Sequence, residues 1–354
     1  MIKIKNIKTL AGEVVDYHIP SDQNHEIEAD KKLLLFPGII DPHICLGSPD
    51  SESWILAVQS AVKGGMTTCI ETPSAILPHN TKQDLEEKNH RITKGLRELQ
   101  IPLNLFSYLL YSNENFNEID QLGVEKKLIK GLVIHCEQNK KEVLDVNWEN
   151  LFQIAAQQDV PIVINSYNEN AEHGPATKDF EESLLEKALF YMEKWGNRLY
   201  VLNVATQKEI DLIQEARQKS LLVYAETTPQ HLFPEDSSKA HHLWEAINQD
   251  VIETVGSGYH FNKPVKENFI FSNPLFFLPS LLTAVHEKKI SIEKLVHLTS
   301  VNIMNILELK KNQDFILVDL EKEQTVQKIN SGRSEGFKLR GWPIHTIVQG
   351  HLFS

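Results

Sequence analysis

A chain of 354 residues with 41% hydrophobic and 24% charged side chains has a globular composition, and its length suits a single α/β barrel with an appendage. The net charge of −12 argues against nucleic acid or an anionic membrane as the main partner. Three cysteines, Cys45, Cys69 and Cys136, form no C-x-x-C pair and no disulfide framework, which predicts a reducing, cytoplasmic setting.

The opening Met-Ile-Lys-Ile-Lys-Asn alternates apolar and polar residues like a strand and has no apolar core of a signal peptide. No run approaches the length of a transmembrane helix. Residues 1–35 read as short strands around a polar turn at Pro20–Asn24. From Leu33 onward apolar strands alternate with amphipathic helices, the mark of parallel βα units. Eight strands are expected: Leu34–Ile44, Thr67–Glu71, Leu103–Leu110, Gly131–Glu137, Pro161–Ser166, Leu199–Ala205, Leu221–Glu226 and Ile252–Gly258. Helical patterns fall between them, at Ser53–Val62, Lys82–Glu98, Trp148–Gln158, Glu182–Trp195 and Lys208–Gln218. Two closing helices follow, Asn273–Glu287 and Ser291–Leu307. Eight such units predict a (β/α)8 TIM-like barrel over residues 36–309. The tail returns to strand character at Phe315–Leu320 and Gly341–Leu352. Because short strands at the two ends cannot fold alone, residues 1–35 and 310–354 are expected to join in one small β side domain.

The chemistry-bearing stretch is Phe36-Pro-Gly-Ile-Ile-Asp-Pro-His-Ile-Cys-Leu-Gly47. Asp41, His43 and Cys45 recur at i, i+2, i+4, which in an extended strand places them on one face. The stretch resembles the first barrel strand of the dihydroorotase family of the amidohydrolase superfamily, Pro-Gly-x-x-Asp-x-His-x-His-x-Arg. Cys45 stands where the family has its second metal-binding histidine, and Gly47 where it has the substrate-binding arginine. Further segments are similar to the family in the right order. They are Gly64-Gly-Met-Thr-Thr-Cys-Ile-Glu-Thr-Pro73, Ala225-Glu-Thr-Thr-Pro-Gln-His-Leu232, Leu298-Thr-Ser-Val-Asn302 and Gly341-Trp-Pro-Ile-His-Thr-Ile-Val-Gln-Gly350.

The resemblance implies a two-metal site at the C-terminal ends of the strands, which would lower the pKa of a bridging water and polarise a cyclic amide. Carried over position by position, that site is dismantled. His43 is kept, and Cys45 is a possible zinc ligand. Val133 occupies the place of the carboxylated lysine, Asn165 and Asn203 those of the two later histidines, and Gly258 that of the catalytic aspartate. Ser74 replaces a substrate-binding asparagine. Amide oxygens are poor ligands for a borderline-soft ion, and glycine carries no proton. The leading expectation is therefore a non-catalytic dihydroorotase-like protein with no cofactor, or one zinc at most. It acts by association as a homo-oligomer, most simply a dimer. The family resemblance adds aspartate transcarbamoylase, in pyrimidine biosynthesis, as a candidate partner.

The alternative left open is an active dihydroorotase or cyclic amidase with a remodelled mononuclear site on His43, Cys45 and His135; a small-molecule sensor is a third option. Against the remodelled site stands the reading of His43 as a hydrogen-bonded relic and Cys45 as a buried filler. Cys69 reads as packing. Glu71 and Glu226 read as acid–base carboxylates or, by preference, as rim groups satisfied by a cation or backbone amides. His241, His242 and His260 read as solvated loop residues.

Overall fold

The computed structural model describes residues 1–49, 51–73, 82–113, 115–120, 129–135, 146–165, 175–234, 236–261, 271–311, 313–326 and 336–354. Two sheets organise it. The first collects both ends of the chain: β1 (Ile2–Lys8), β2 (Val14–Ile19), β3 (His25–Glu28), β4 (Leu33–Pro37), β14 (Phe315–Val326), β15 (Phe337–Val348) and β16 (His351–Phe353). Its order is β16-β15-β14-β4-β1-β2, with β3 also on β1, so β4 and β14 are the seam between N- and C-terminal pieces. Ile2, Ile4, Ile7, Ile19, Leu317 and Ile347 form its own buried cluster.

The second sheet is the barrel. Its strands are β5 (Ile39–Cys45), β6 (Met66–Glu71), β7 (Asn104–Leu110), β8 (Ile129–His135), β9 (Ile162–Asn165), β10 (Leu199–Leu202) and β11 (Val223–Thr227), all parallel and in sequence order. The eighth position is split. β12 (Thr254–Val255) pairs with β11, and β13 (Tyr259–His260) pairs with β5, which closes the ring. Between the two pieces, the amide of Ser257 donates to Asp41 Oδ1 at 2.9 Å and that of Gly258 to the His43 carbonyl at 3.0 Å. The eight-unit barrel and its terminal side sheet stand as read from the sequence.

The expected strand Leu34–Ile44 is corrected to two strands that belong to different sheets. At Gly38 the chain changes partners: its N–H donates to the Asp314 carbonyl, while the next N–H, on Ile39, donates to Gly65. A Cβ at Gly38 would stand 2.3 Å from Thr67 Oγ1, so the crossing point has no room for a side chain.

Helices pack outside the barrel. Glu52–Lys63 is capped by Ser51 and buries Trp54, Ala57, Val58, Ala61 and Val62, an i, i+3, i+4 stripe. Gln207–Gln218 opens with a capping box between Thr206 and Glu209. Pro274–His286 follows the Asn273 cap, and three consecutive segments, Ile292–Val296, His297–Val301 and Asn302–Ile306, continue one another with a π-type middle. The last of them sends Ile303 and Ile306 into the apolar barrel interior, alongside Ile40, Ile70, Leu110, Val133 and Val163. His241 and His242 are corrected from loop to helix: they open His241–Asn248, which buries Leu243, Trp244, Ala246 and Ile247. Among the described residues no helix is long and apolar enough to cross a membrane.

Candidate functional site

The barrel mouth is built from the C-terminal ends of its strands, where the residues of a (β/α)8 fold that do chemistry are gathered. His43 enters from β5, next to an irregularity in the β5–β6 pairing between Asp41 and Ile44, where Pro42 has no N–H to give. Asn165 ends β9, on the far side of the barrel. Asn203 follows β10 with φ of 62°, a left-handed conformation that asparagine tolerates. Glu226 lies in β11 and is fully buried.

These four side chains meet across the barrel. His43 Nε2 is 3.3 Å from Asn165 Nδ2, and Asn165 Oδ1 accepts from Asn203 Nδ2 at 2.8 Å. The Asn203 amide donates to Glu226 Oε2 at 2.7 Å, and the Gly256 amide to Glu226 Oε1 at 3.0 Å. His43 Nδ1 closes the ring at 3.4 Å from Glu226 Oε1, a charge–dipole contact rather than an aligned hydrogen bond. With Asn165 Oδ1 accepting from Asn203, Asn165 offers N–H to Nε2, an orientation that goes with an Nδ1–H tautomer facing the carboxylate.

Other mouth residues are also accounted for. Glu71, at the end of β6, is paired with Lys88 Nζ at 2.5 Å, and both are buried. Asp41 is fully buried; its Oδ1 accepts the amides of His43 and Ser257, and among the described residues its Oδ2 has no hydrogen-bond partner. Burial raises its carboxyl to about 6, against the lowering pull of the Ser257 side chain, of those two amides and of the His43 charge. Burial likewise pushes the Tyr108 phenol well above its usual range, with Glu226 and Asp41 adding to the shift. His260 is corrected from a solvated residue. Its ring stacks on Phe261 at 5.2 Å, and burial, with His43 second, lowers it to about 4. His242 Nε2 lies 2.9 Å from the Ala205 carbonyl, and only His241 has a largely exposed side chain. Cys69 is fully buried in the main core, as packing requires.

The donor set does not fit a two-metal centre. Val133 is packed in the apolar interior, Asn165 and Asn203 are hydrogen-bonded within the ring, and both His43 ring nitrogens face protein groups. Among the described residues no three His, Cys, Asp or Glu side chains are placed to share an ion. His135 is described as the last residue of β8, in register with Asn165, but its side chain and all of Ser74 and Cys136 lie outside the described residues. Cys45 is buried at the end of β5, beside His260 in the pairing with β13.

Three glycines at the mouth have no room for a side chain. Gly258 has φ of +61°, and a Cβ there would stand 2.9 Å from Thr228 Cγ2. Gly47 has φ of +82°, and a Cβ would stand 2.7 Å from the Phe261 ring. Gly256, whose role was not read from the sequence, would place a Cβ 2.4 Å from Glu226 Oε1 and 2.9 Å from His43 Cβ. The Gly-Ser-Gly spacing near a strand end was the available signal for it. Gly258→Asp is therefore expected to lower stability by about 1–3 kcal/mol through crowding. Urea unfolding that shows a loss within about 0.5 kcal/mol, as at an ordinary surface site, would contradict this.

The chain is 24% identical over 424 aligned residues to a dihydroorotase of Methanosphaera stadtmanae, covering 99% of this chain and 96% of that one. Its fold is shared with the L-hydantoinase of Arthrobacter aurescens, with a TM-score of 0.78 at 19% identity over 99% and 95% of the two chains. It is also shared with a domain described as an inactive dihydroorotase-like domain of the Chaetomium thermophilum CAD-like multifunctional protein. There the TM-score is 0.66 at 17% identity, over 90% and 94%. No protein-family model matches the chain. The chain thus has the fold of the cyclic amidohydrolase structures and is similar in sequence, along nearly all of its length, to proteins named dihydroorotase.

Proposed function

We propose that the chain is a non-catalytic dihydroorotase-type homologue that acts by association, as a cytoplasmic homo-oligomer. The observation that carries the reading is the closed ring of His43, Asn165, Asn203 and Glu226. His43, the histidine kept from the resembled metal motif, has Nε2 against Asn165 and Nδ1 facing Glu226, and the ring spans the axis where a substrate amide would have to sit. A valine at position 133 and a glycine at 258 leave neither an anionic bridge nor a proton carrier. The kinship in fold with a domain described as inactive, within a multifunctional protein, supports a role in assembly. The sequence resemblance adds aspartate transcarbamoylase as the candidate partner.

The test combines metal content, turnover and complex formation on the full chain. Purified protein is expected to hold fewer than two metal ions per chain and to turn over neither dihydroorotate nor hydantoin. Sedimentation with the aspartate transcarbamoylase of the same organism is expected to show a joint species. Two zinc ions per chain, or a dihydroorotate activity abolished by His43→Ala, would refute the reading. One zinc lost on Cys45→Ser, together with turnover, would establish the mononuclear enzyme instead.

A further inference from the structure

A second concavity lies at the N-terminal end of β7, the end of that strand away from the barrel mouth. It is a crevice of about 760 Å³ between the C-terminal half of the helix Lys82–Glu98, the segment entering β7, and the last hairpin of the side sheet around β16. Its volume falls in the range of small-ligand sites, roughly 300–1,000 Å³. The apolar floor includes Ile92, Leu96 and Leu103, which belong to or pack on the main core and are held in place by it.

Gln23, Asn89, Thr93, Gln100 and Gln349 also line the crevice, but two of its polar residues decide the charge it takes. Arg97 is exposed, and among the described residues its guanidinium has no acidic partner, in a chain whose net charge is −12. The second is His351. Gln23 Oε1 accepts the Leu352 amide at 3.2 Å, which turns the Gln23 amide nitrogen toward His351 Nδ1 at 3.5 Å. Nδ1 therefore faces a donor and accepts, so the ring proton sits on Nε2, leaving an N–H to offer a ligand. An aliphatic floor beside one cation and one N–H donor complements an apolar body ending in an anion. A neutral apolar molecule would leave Arg97 without a partner, and an ammonium would meet it head on.

We propose that this crevice binds a small amphipathic carboxylate, its chain on the aliphatic floor and its carboxylate toward Arg97 and His351. The site does not depend on whether the barrel mouth is active. Decanoate is the probe, titrated calorimetrically into the full-length protein beside 1-decanol and decylammonium. Saturable 1:1 binding of decanoate is expected, weakened at least about tenfold by Arg97→Gln, since a charge-assisted hydrogen bond is lost. Both neutral and cationic analogues are expected to bind at least about tenfold more weakly than decanoate. Leu96→Glu, which puts a carboxylate on the floor, is expected to abolish binding. Arg97 is exposed, so its replacement keeps the test valid even if Leu96→Glu disturbs folding. No saturable decanoate binding, equal binding to Arg97→Gln, or equal affinity for 1-decanol or decylammonium would each overturn the proposal. So would binding of an acidic apolar peptide at this crevice in place of decanoate.

Discussion

Replacing Glu226 with alanine is expected to cost about 3–5 kcal/mol of folding stability, the largest loss of any single change at the barrel mouth. The carboxylate is fully buried and accepts the amides of Asn203 and Gly256, from the segments after β10 and β12, while facing His43 of β5. Removing it strands two buried backbone donors, each costing about 1–3 kcal/mol, and frees the imidazole of its partner. Glu226→Gln separates charge from hydrogen bonding. It keeps one oxygen, but its NH2 must point at one of the two amide donors, so a loss of about 1–3 kcal/mol is expected. Urea unfolding of the three proteins provides the comparison. A second readout tests the ring itself: the ¹⁵N spectrum of His43 is expected to show a protonated Nδ1 in the native chain and a mixed tautomer in Glu226→Ala. Losses under about 1 kcal/mol for alanine, within the spread of ordinary substitutions, would mean that the ring does not hold the mouth together.

The barrel was legible because its evidence is local. Apolar runs bounded by turn residues mark each strand, and the stripes in Glu52–Lys63 and Trp148–Gln158 mark the helices between them. The Pro-Gly turn at Pro37-Gly38 was legible, but the change of sheet across it was not. Leu33–Ile40 is one nearly continuous apolar run, and periodicity cannot say that its first half feeds the side sheet and its second the barrel. His241 and His242 misled because adjacent polar residues look like loop, while the burial of Leu243, Trp244 and Ile247 makes the helix. At the site, Asn165 and Asn203 were readable as poor ligands. What they do instead, bonding to one another and reaching His43 from the opposite wall, depends on distances across the barrel that no spacing encodes. Glu226 fell between, since its satisfaction by backbone amides was anticipated but its contact with His43 was not.

Asp41→Asn is expected to change how stability depends on pH. The native carboxyl is raised to about 6, chiefly by burial, from 3.8 in the unfolded chain. A raised group binds protons more tightly in the folded state. Its stabilising contribution is thus fully present below about pH 3.8 and is lost as pH rises through about 6. A shift of that size corresponds to about 3 kcal/mol between the two limits. His260 acts in the opposite sense. Lowered to about 4 from 6.5, mainly by burial, it costs no stability above pH 6.5 and takes stability away as pH falls toward 4. In the native chain the two trends offset over the same window. The asparagine variant cannot titrate, and its amide oxygen can still accept from Ser257 and His43, as Asp41 Oδ1 does. Its stability is therefore expected to fall more steeply than the native chain's between pH 6.5 and 4, as His260 is left uncompensated. The native-minus-variant difference, from urea unfolding at several pH values, should shift toward the native chain by roughly 2 kcal/mol on acidification from pH 7 to 4. A difference flat across that range would mean that the Asp41 carboxyl keeps its ordinary acidity, and with it that the unpartnered Oδ2 is solvated rather than buried.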